Sequence, residues 1–311
     1  MTILIAAEFT EPEWQAWQNA LSQALPGEQW LRWREGAVPD QADIALVANP
    51  PSGALAGLPN LRLIQSLWAG VDRLLADTSL PSDVPLARMV DPAMSQAMAQ
   101  TVVWAVLGLQ RDFLRYAAQQ RSQHWQAWPQ RRADETTVLV LGLGQMGRCA
   151  AQRLLGMGYR VLGWSSRPQR IDGIVAQSGA AALHGLLSQA QIVVNLLPLT
   201  PATCGLFDAE RLAWLPRGAS LVNLARGAHV VDADLLAALD NGHVQHAVLD
   251  VFHAEPLPAG HRYWSHSQVT VLPHVAAQTD PRSAAHIVAR NVRALRQGLP
   301  LEHLVDRGRA Y

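Results

Sequence analysis

The sequence predicts an α/β fold built from two Rossmann-like or flavodoxin-like domains with parallel sheets, one inserted into the other. Three observations predict it. Short apolar runs of strand length alternate with helix-length amphipathic patterns along most of the chain. The run Val138-Leu139-Val140-Leu141 leads at once into Gly142-Leu143-Gly144-Gln145-Met146-Gly147. A long apolar helical pattern, Ser95 to Gln120, separates that unit from an earlier one with no glycine motif of its own.

In the first unit, Ile3 to Ala6, Ile44 to Ala48 and Leu63 to Ser66 read as buried strands, and Pro12 to Leu25 as an amphipathic helix. Ser66-Leu67-Trp68-Ala69-Gly70-Val71-Asp72 turns from strand end to helix start. Backbone N–H groups at Ala69, Gly70 and Val71 either cradle a carboxylate there or simply make the turn. Trp68 either narrows a substrate pocket or packs away from it. The helix from Ser95 carries Met98, Val102, Val103, Ala105, Val106, Leu109 and Leu114, and crosses into the second unit. Trp125 and Trp128 read as packing or subunit-contact residues. A helix from Ser283 to Arg296 returns to the first unit. The expected division is a discontinuous substrate-binding domain, residues 1–100 plus 282–311, around a dinucleotide-binding domain, residues 101–281.

The second unit opens on the glycine turn. Gly142 permits the tight exit from the strand, Gly144 lets a pyrophosphate approach the backbone, and Gly147 lets the helix from Arg148 to Leu155 pack close to the sheet. That helix offers its free N–H groups, beginning near Gln145 and Met146, to the phosphates. The next strand, Arg160 to Trp164, ends in Ser165-Ser166-Arg167. An NAD site places a carboxylate near this point for the ribose 2′-OH. Here two hydroxyls and a guanidinium stand instead, which suits a 2′-phosphate and predicts NADPH over NADH. The plain alternative for Arg167 is a solvated loop arginine.

Ile192 to Leu197, Ser220 to Asn223, Ala247 to Asp250 and Val269 to Leu272 continue the strands, and residues past their carboxyl ends line the expected crevice. Three successive ends deliver Arg226, Glu255 and His274. Reduction of a ketone by a nicotinamide leaves an oxygen that needs a proton, which His274 can donate. Glu255 on the other ring nitrogen fixes the tautomer and favours the protonated ring. Arg226 can bind a substrate carboxylate and polarise the adjacent carbonyl. Asp250 is read as an acceptor for the nicotinamide carboxamide, with the backbone near Leu197 and Pro198 flanking the cofactor.

Composition removes other classes. In 311 residues, 49% are hydrophobic and 16% charged, so two cored domains fit and long disordered tails do not. A net charge of zero gives no basic surplus for nucleic acid or anionic membrane. No apolar run reaches the ~18 residues of a membrane span. The N-terminus lacks the charged head of a signal peptide, and only Cys149 and Cys204 are present, so a cytoplasmic protein without disulfides is expected. No zinc-type ligand cluster is present, so no metal is expected. All 25 basic residues are arginine, which excludes Schiff-base chemistry, a P-loop lysine and the lysine-dependent β-hydroxyacid dehydrogenases.

Taken together, the loop Leu67 to Asp72, the glycine turn, Asn223-Leu224-Ala225-Arg226-Gly227, Leu249 to Pro258, Pro273-His274-Val275-Ala276-Ala277 and the tail Val305-Asp306-Arg307 with Tyr311 resemble the D-2-hydroxyacid dehydrogenases, most nearly their bacterial glyoxylate/hydroxypyruvate reductase branch. The resemblance spans essentially the whole chain. It implies NADPH-dependent reduction of small 2-keto acids, glyoxylate to glycolate and hydroxypyruvate to D-glycerate. It assigns substrate orientation to Arg226, the histidine partner to Glu255 and the acid/base to His274. It implies a substrate loop at Trp68, Ala69 and Gly70, and a homodimer formed through the cofactor domain. The alternatives are a dinucleotide-sensing corepressor of the same fold, a dehydrogenase for another keto acid, and a formate or phosphite dehydrogenase.

Overall fold

The computed structural model describes residues 2–34 and 40–309; the terminal Tyr311 lies outside them. The chain forms two compact units, Met1–Met94 with Thr279–Tyr311, and Ser95–Gln278. The first contains β1 (Thr2–Ala7), α1 (Glu11–Ala24), β2 (Gln29–Arg32), β3 (Ala42–Ala48), β4 (Leu63–Ser66), α2 (Asp72–Ala76) and β5 (Leu86–Ala87). Next come α3 (Pro92–Gln110) and α4 (Phe113–Arg121), then β6 (Thr137–Leu141), α5 (Gln145–Gly156), β7 (Arg160–Ser165) and β8 (Val175–Ser178). The second unit continues with α6 (Ala180–Leu187), β9 (Ile192–Asn195), α7 (Ala209–Ala213), β10 (Ala219–Asn223), α8 (Asp232–Asp240), β11 (Val244–Leu249) and β12 (Val269–Val271). Finally α9 (Pro281–Gln297) returns to the first unit.

Among the described residues, each unit holds one sheet whose named strands all pair in parallel. The first runs β2-β1-β3-β4-β5, the flavodoxin-like order; the second runs β12-β11-β10-β9-β6-β7-β8, the order of a doubly wound nucleotide-binding sheet with one strand added. Parallel strands buried on both faces need apolar residues at odd and even positions alike, which is why these strands read as unbroken runs. The second sheet separates them cleanly. Leu139, Leu141, Val193, Leu221, Ala247 and Leu249 face one core with α6 and α8. Val138, Val140, Ile192, Val194, Val222 and Val248 face the other, with α3 and α5.

In the first unit, Leu4, Ala6, Ala45, Val47, Ile64 and Leu86 share a core with Leu55, Leu58, Leu74 and Val84. The return helix is pinned by polar contacts as well as by packing. Asn291, buried on α9, donates to Gln65 Oε1 at 2.7 Å and accepts from the Glu302 amide at 2.7 Å. Arg296, near the end of α9, bridges Glu28 and Asp43.

Two expectations change in the structure, and three strands enter that the sequence does not mark. The helix expected from Ser95 to Gln120 is two helices, because Asp112 takes a left-handed conformation at φ 57° between them. Asp tolerates that conformation, and the fold-back seats Leu114 against Gly108, where no side chain obstructs it. The strands β2, β5 and β8 are short and lie toward the sheet edges, so their sequence runs are too brief to stand out. The first changeover falls at Met94/Ser95, because Met98, Ala99 and Val102 already pack under the second sheet.

One half-buried titratable group makes stability pH-dependent. His246, on β11, meets Thr270 Oγ1 at 2.9 Å, and burial, reinforced by nearby His266, lowers its pKa from 6.5 to about 4. The folded-state value lies below that of the unfolded chain, so its contribution is complete above pH 6.5 and is lost as pH falls toward 4. Chemical denaturation across that window is expected to show wild-type stability falling by up to about 3 kcal/mol more than that of His246→Gln. Equal losses in the two proteins would contradict this.

Candidate active site

The glycine turn connects β6 to α5. Gly142 adopts φ +95°, and a Cβ there would lie 2.6 Å from the Leu196 carbonyl oxygen of the neighbouring strand connection. A Cβ on Gly147 would lie 1.7 Å from the Gly142 carbonyl oxygen, so helix and turn meet backbone to backbone. Gly144 differs: it caps α5 at φ −69°, and a Cβ there would meet nothing within 4 Å. Close packing forces two of the glycines, and the third opens onto free space at the start of a twelve-residue helix. That is the cradle a pyrophosphate needs. Gln145 is exposed beside it, while Met146 is half-buried against the core.

At the end of β7, Ser165 is buried and its hydroxyl donates to the Arg167 carbonyl at 2.5 Å, so this serine shapes the turn. Ser166 and Arg167 are exposed. Arg148, in the first turn of α5, donates to Gln169 Oε1 at 2.9 Å and braces the same loop.

The ends of β10, β11 and β12 interlock. Asp250 follows β11 and is 1% exposed. Its carboxylate accepts the amides of Val275 at 2.7 Å and Ala276 at 3.0 Å, and its own carbonyl accepts the His274 amide at 2.9 Å. Burial raises the Asp250 pKa, and the two amide bonds oppose that shift. Thr101 adds a hydrogen bond to the Ala276 carbonyl at 2.8 Å. These contacts hold His274 at φ 55°, a conformation a histidine seldom takes unaided. From there His274 Nδ1 lies 2.7 Å from Glu255 Oε2, while Glu255 Oε1 accepts the Phe252 amide at 2.9 Å. The imidazole is half exposed, with Nε2 as its remaining nitrogen.

Arg226 stands on the adjoining loop. A Cβ on Gly227 would lie 2.0 Å from the Phe252 carbonyl carbon, so the Arg226 loop rests directly on the Glu255 loop. His253 Nε2 adds a 2.7 Å contact with the Val230 carbonyl. The predicted pairing of Glu255 with His274 is therefore present, with Arg226 on the loop packed against it. Asp250 was read from sequence as a carboxamide acceptor. What the structure gives it is a structural duty, the clamp on the backbone after His274, with a second lone pair left on each carboxylate oxygen.

Sequence reasoning missed a buried polar cluster beside this site. Asn195 and Asn223 end β9 and β10 at paired register positions, and both are fully buried with His229. Their visible signal is an asparagine closing each of two apolar strands. Leu197 is buried and Pro198 exposed just beyond β9.

In the first unit, Trp68 is half-buried, with its ring edge-on to Phe9 and Trp17 at centroid distances of 6.3 and 6.4 Å. Ala69 and Gly70 are partly exposed after it. The helix that follows, α2, has only five residues, so any anion binding at this loop depends on its amides and little on a helix dipole. Among the described residues, no cluster of three or more His, Cys, Asp or Glu is arranged to hold a metal, and no helix is long and apolar enough to cross a membrane.

A glycine turn heading a seven-stranded parallel sheet, with a Glu–His pair past its carboxyl edge, defines a dinucleotide-binding α/β oxidoreductase. Comparison with known proteins narrows the class. Residues 103–276 match the family described as D-isomer specific 2-hydroxyacid dehydrogenase, NAD binding domain. The glyoxylate/hydroxypyruvate reductase A of Serratia proteamaculans (strain 568) is 40% identical over 297 residues, covering 94% of this chain and 95% of its own length. A D-isomer specific 2-hydroxyacid dehydrogenase from Xanthobacter autotrophicus Py2, solved with NADPH and MES, matches with a TM-score of 0.95 at 43% identity, covering 100% of this chain and 99% of that one. The NADPH-dependent glyoxylate/hydroxypyruvate reductase of Sinorhizobium meliloti, solved with NADP and sulfate, matches with a TM-score of 0.92 at 35% identity, over 100% and 99% of the two chains. The chain belongs to the D-isomer specific 2-hydroxyacid dehydrogenase family.

The glycine turn yields a separable prediction. Gly144→Ala is expected to leave thermal stability unchanged, or to raise it by about 0.5 kcal/mol, while weakening dinucleotide binding measured by titration. Gly147→Ala is expected to lower stability outright. Equal destabilisation by both, or undiminished binding by Gly144→Ala, would contradict the division of labour.

Proposed function

We propose that the protein reduces small 2-keto acids with NADPH, glyoxylate to glycolate and hydroxypyruvate to D-glycerate. The observation that carries this reading is the 2.7 Å pairing of His274 Nδ1 with Glu255, beside the loop that bears Arg226. Support for the substrate class comes from the Serratia and Sinorhizobium reductases and their likeness over nearly the full chain. Support for NADPH comes from the solved relatives that hold NADPH or NADP, and from Ser166 and Arg167 where an NAD site would place a carboxylate.

In this mechanism the bound nicotinamide supplies a hydride to the carbonyl carbon. Arg226 binds the substrate carboxylate and draws electron density from the adjacent ketone. His274 Nε2 gives the proton that the carbonyl oxygen takes up as the hydride arrives. Glu255 holds Nδ1–H and thereby aims the ring. The products are the 2-hydroxy acid and the oxidised dinucleotide, and solvent reprotonates His274. Gly144, with Gln145 and Met146 at the start of α5, would receive the pyrophosphate, Gly142 and Gly147 would set the turn that presents them, and Leu197, Pro198 and Asp250 would flank the nicotinamide. Trp68, Ala69 and Gly70 supply the substrate loop, with the Trp68 ring serving mainly as packing against Phe9 and Trp17. Exposed Trp104, Phe113 and Trp125 on the cofactor unit support a homodimer, and the two unpaired cysteines support a reducing, cytoplasmic setting.

Steady-state assays with glyoxylate, hydroxypyruvate, pyruvate and longer keto acids, each with NADPH and NADH, test the reading. The small substrates with NADPH are expected to give the highest kcat/KM. Arg226→Ala is expected to raise KM and lower kcat together, and His274→Ala to lower kcat by about 10²–10⁴-fold. Near-normal turnover in either variant, or a preference for NADH, would overturn the corresponding assignment.

A further inference from the structure

We infer that His229 is a positioning residue for this reaction, acting through Asn195 and Asn223 on the loop that carries Arg226. The inference rests on the reductase reading above. Asn195 Nδ2 donates to Asn223 Oδ1 at 3.0 Å and contacts His229 Nδ1 at 3.0 Å. Asn195 Oδ1 accepts the Leu197 amide at 3.2 Å. Asn223 Nδ2 donates to the Arg226 carbonyl at 2.9 Å, and Asn223 Oδ1 also accepts the Ala225 amide at 3.3 Å. His229 Nε2 completes the chain at the Pro198 carbonyl, 3.3 Å away.

The donors fix the histidine's form. Asn195 presents N–H to Nδ1 and Pro198 presents a carbonyl to Nε2, so the ring carries its hydrogen on Nε2 and accepts at Nδ1. One unbroken relay then runs from the Pro198 carbonyl, through three side chains with no solvent exposure, to the Arg226 carbonyl. Its ends are the loop flanking the proposed nicotinamide position and the loop bearing the proposed carboxylate-binding guanidinium. Asn195 and Asn223 are register partners on adjacent parallel strands, so the relay lies straight across the carboxyl edge of the sheet. Burying three polar side chains together repays its desolvation only when every member is satisfied. No buried side-chain nitrogen or oxygen among the described residues lacks a partner. An apolar trio would fill the same space, but it would not tie the two loops to a common spacing. Misplacing a reacting group by about 1 Å costs on the order of 10²-fold in rate.

The test is a double-mutant cycle with His229→Leu and Arg226→Ala, read as keto-acid kcat/KM per NADPH-binding site counted by titration. Counting sites separates misfolding, which removes sites, from mispositioning, which slows each site. In the wild-type background, His229→Leu is expected to lower kcat/KM at least about tenfold, with a rise in keto-acid KM. In the Arg226→Ala background it is expected to change the residual value by less than about threefold. His229→Asn, which keeps an acceptor where Nδ1 lies, is expected to recover most of the loss. Fully additive losses, or an unchanged KM with activity falling only as the number of sites falls, overturn the inference. Should His229→Leu yield no sites, Asn223→Asp removes the donor to the Arg226 carbonyl while keeping its acceptor, and additivity in that cycle overturns it equally. Wild-type turnover is measured first: its absence removes the reductase reading and this inference together, whereas turnover with additive losses removes the inference alone.

Discussion

The clamp made by Asp250 is the constraint on which the rest of the site depends. A buried carboxylate is costly unless hydrogen bonds compensate it, and here both oxygens accept successive backbone amides immediately after His274. The clamp lets the chain hold His274 in a left-handed conformation that would cost roughly 1–2 kcal/mol if unsupported. In an ordinary extended conformation the imidazole would project elsewhere, and its 2.7 Å contact with Glu255 would be lost. A backbone device therefore sets the side-chain chemistry.

Around that clamp the strand ends brace one another. Gly227 brings the Arg226 loop into backbone contact with Phe252, and Thr101 on α3 secures the Ala276 carbonyl. The buried asparagines at the ends of β9 and β10 add a further tie. Each link is a hydrogen bond or close approach that stabilises by only about 1 kcal/mol. Together they tie three loops to one another, and catalysis requires such fixed geometry. The open side of the glycine turn contrasts with this. Gly142 and Gly147 are hemmed in by backbone, and Gly144 alone faces free space.

Much of this was legible in the sequence, for identifiable reasons. Parallel strands buried on both faces leave unbroken apolar runs, so β1, β3, β4, β6 and β7 could be read directly. The strand-end rule places Glu255 and His274 together from the sequence alone. Among the short edge strands, β12 reads from its apolar run, whereas β2, bounded by Gln29 and Arg32, and β5, of two residues, carry too little pattern to detect. The break at Asp112 was hidden because apolar residues continue at helical spacing on both sides of it. His229 was invisible for another reason: a lone histidine after an Arg-Gly pair carries no periodicity, and only its three-dimensional partners show its part. The clamp made by Asp250 is likewise out of reach of the sequence, since a carboxylate's partners two dozen residues away leave no local signal.

The central claim is that His274, aimed by Glu255, gives the proton that completes reduction. The dependence of kcat/KM on pH, compared between wild type and His274→Ala under conditions where hydride transfer limits the rate, tests it most directly. Wild-type activity is expected to fall about tenfold per pH unit along an alkaline limb, as loss of one required proton dictates, and that limb is expected to vanish from the residual activity of the variant. An identical alkaline limb in both proteins would contradict the account.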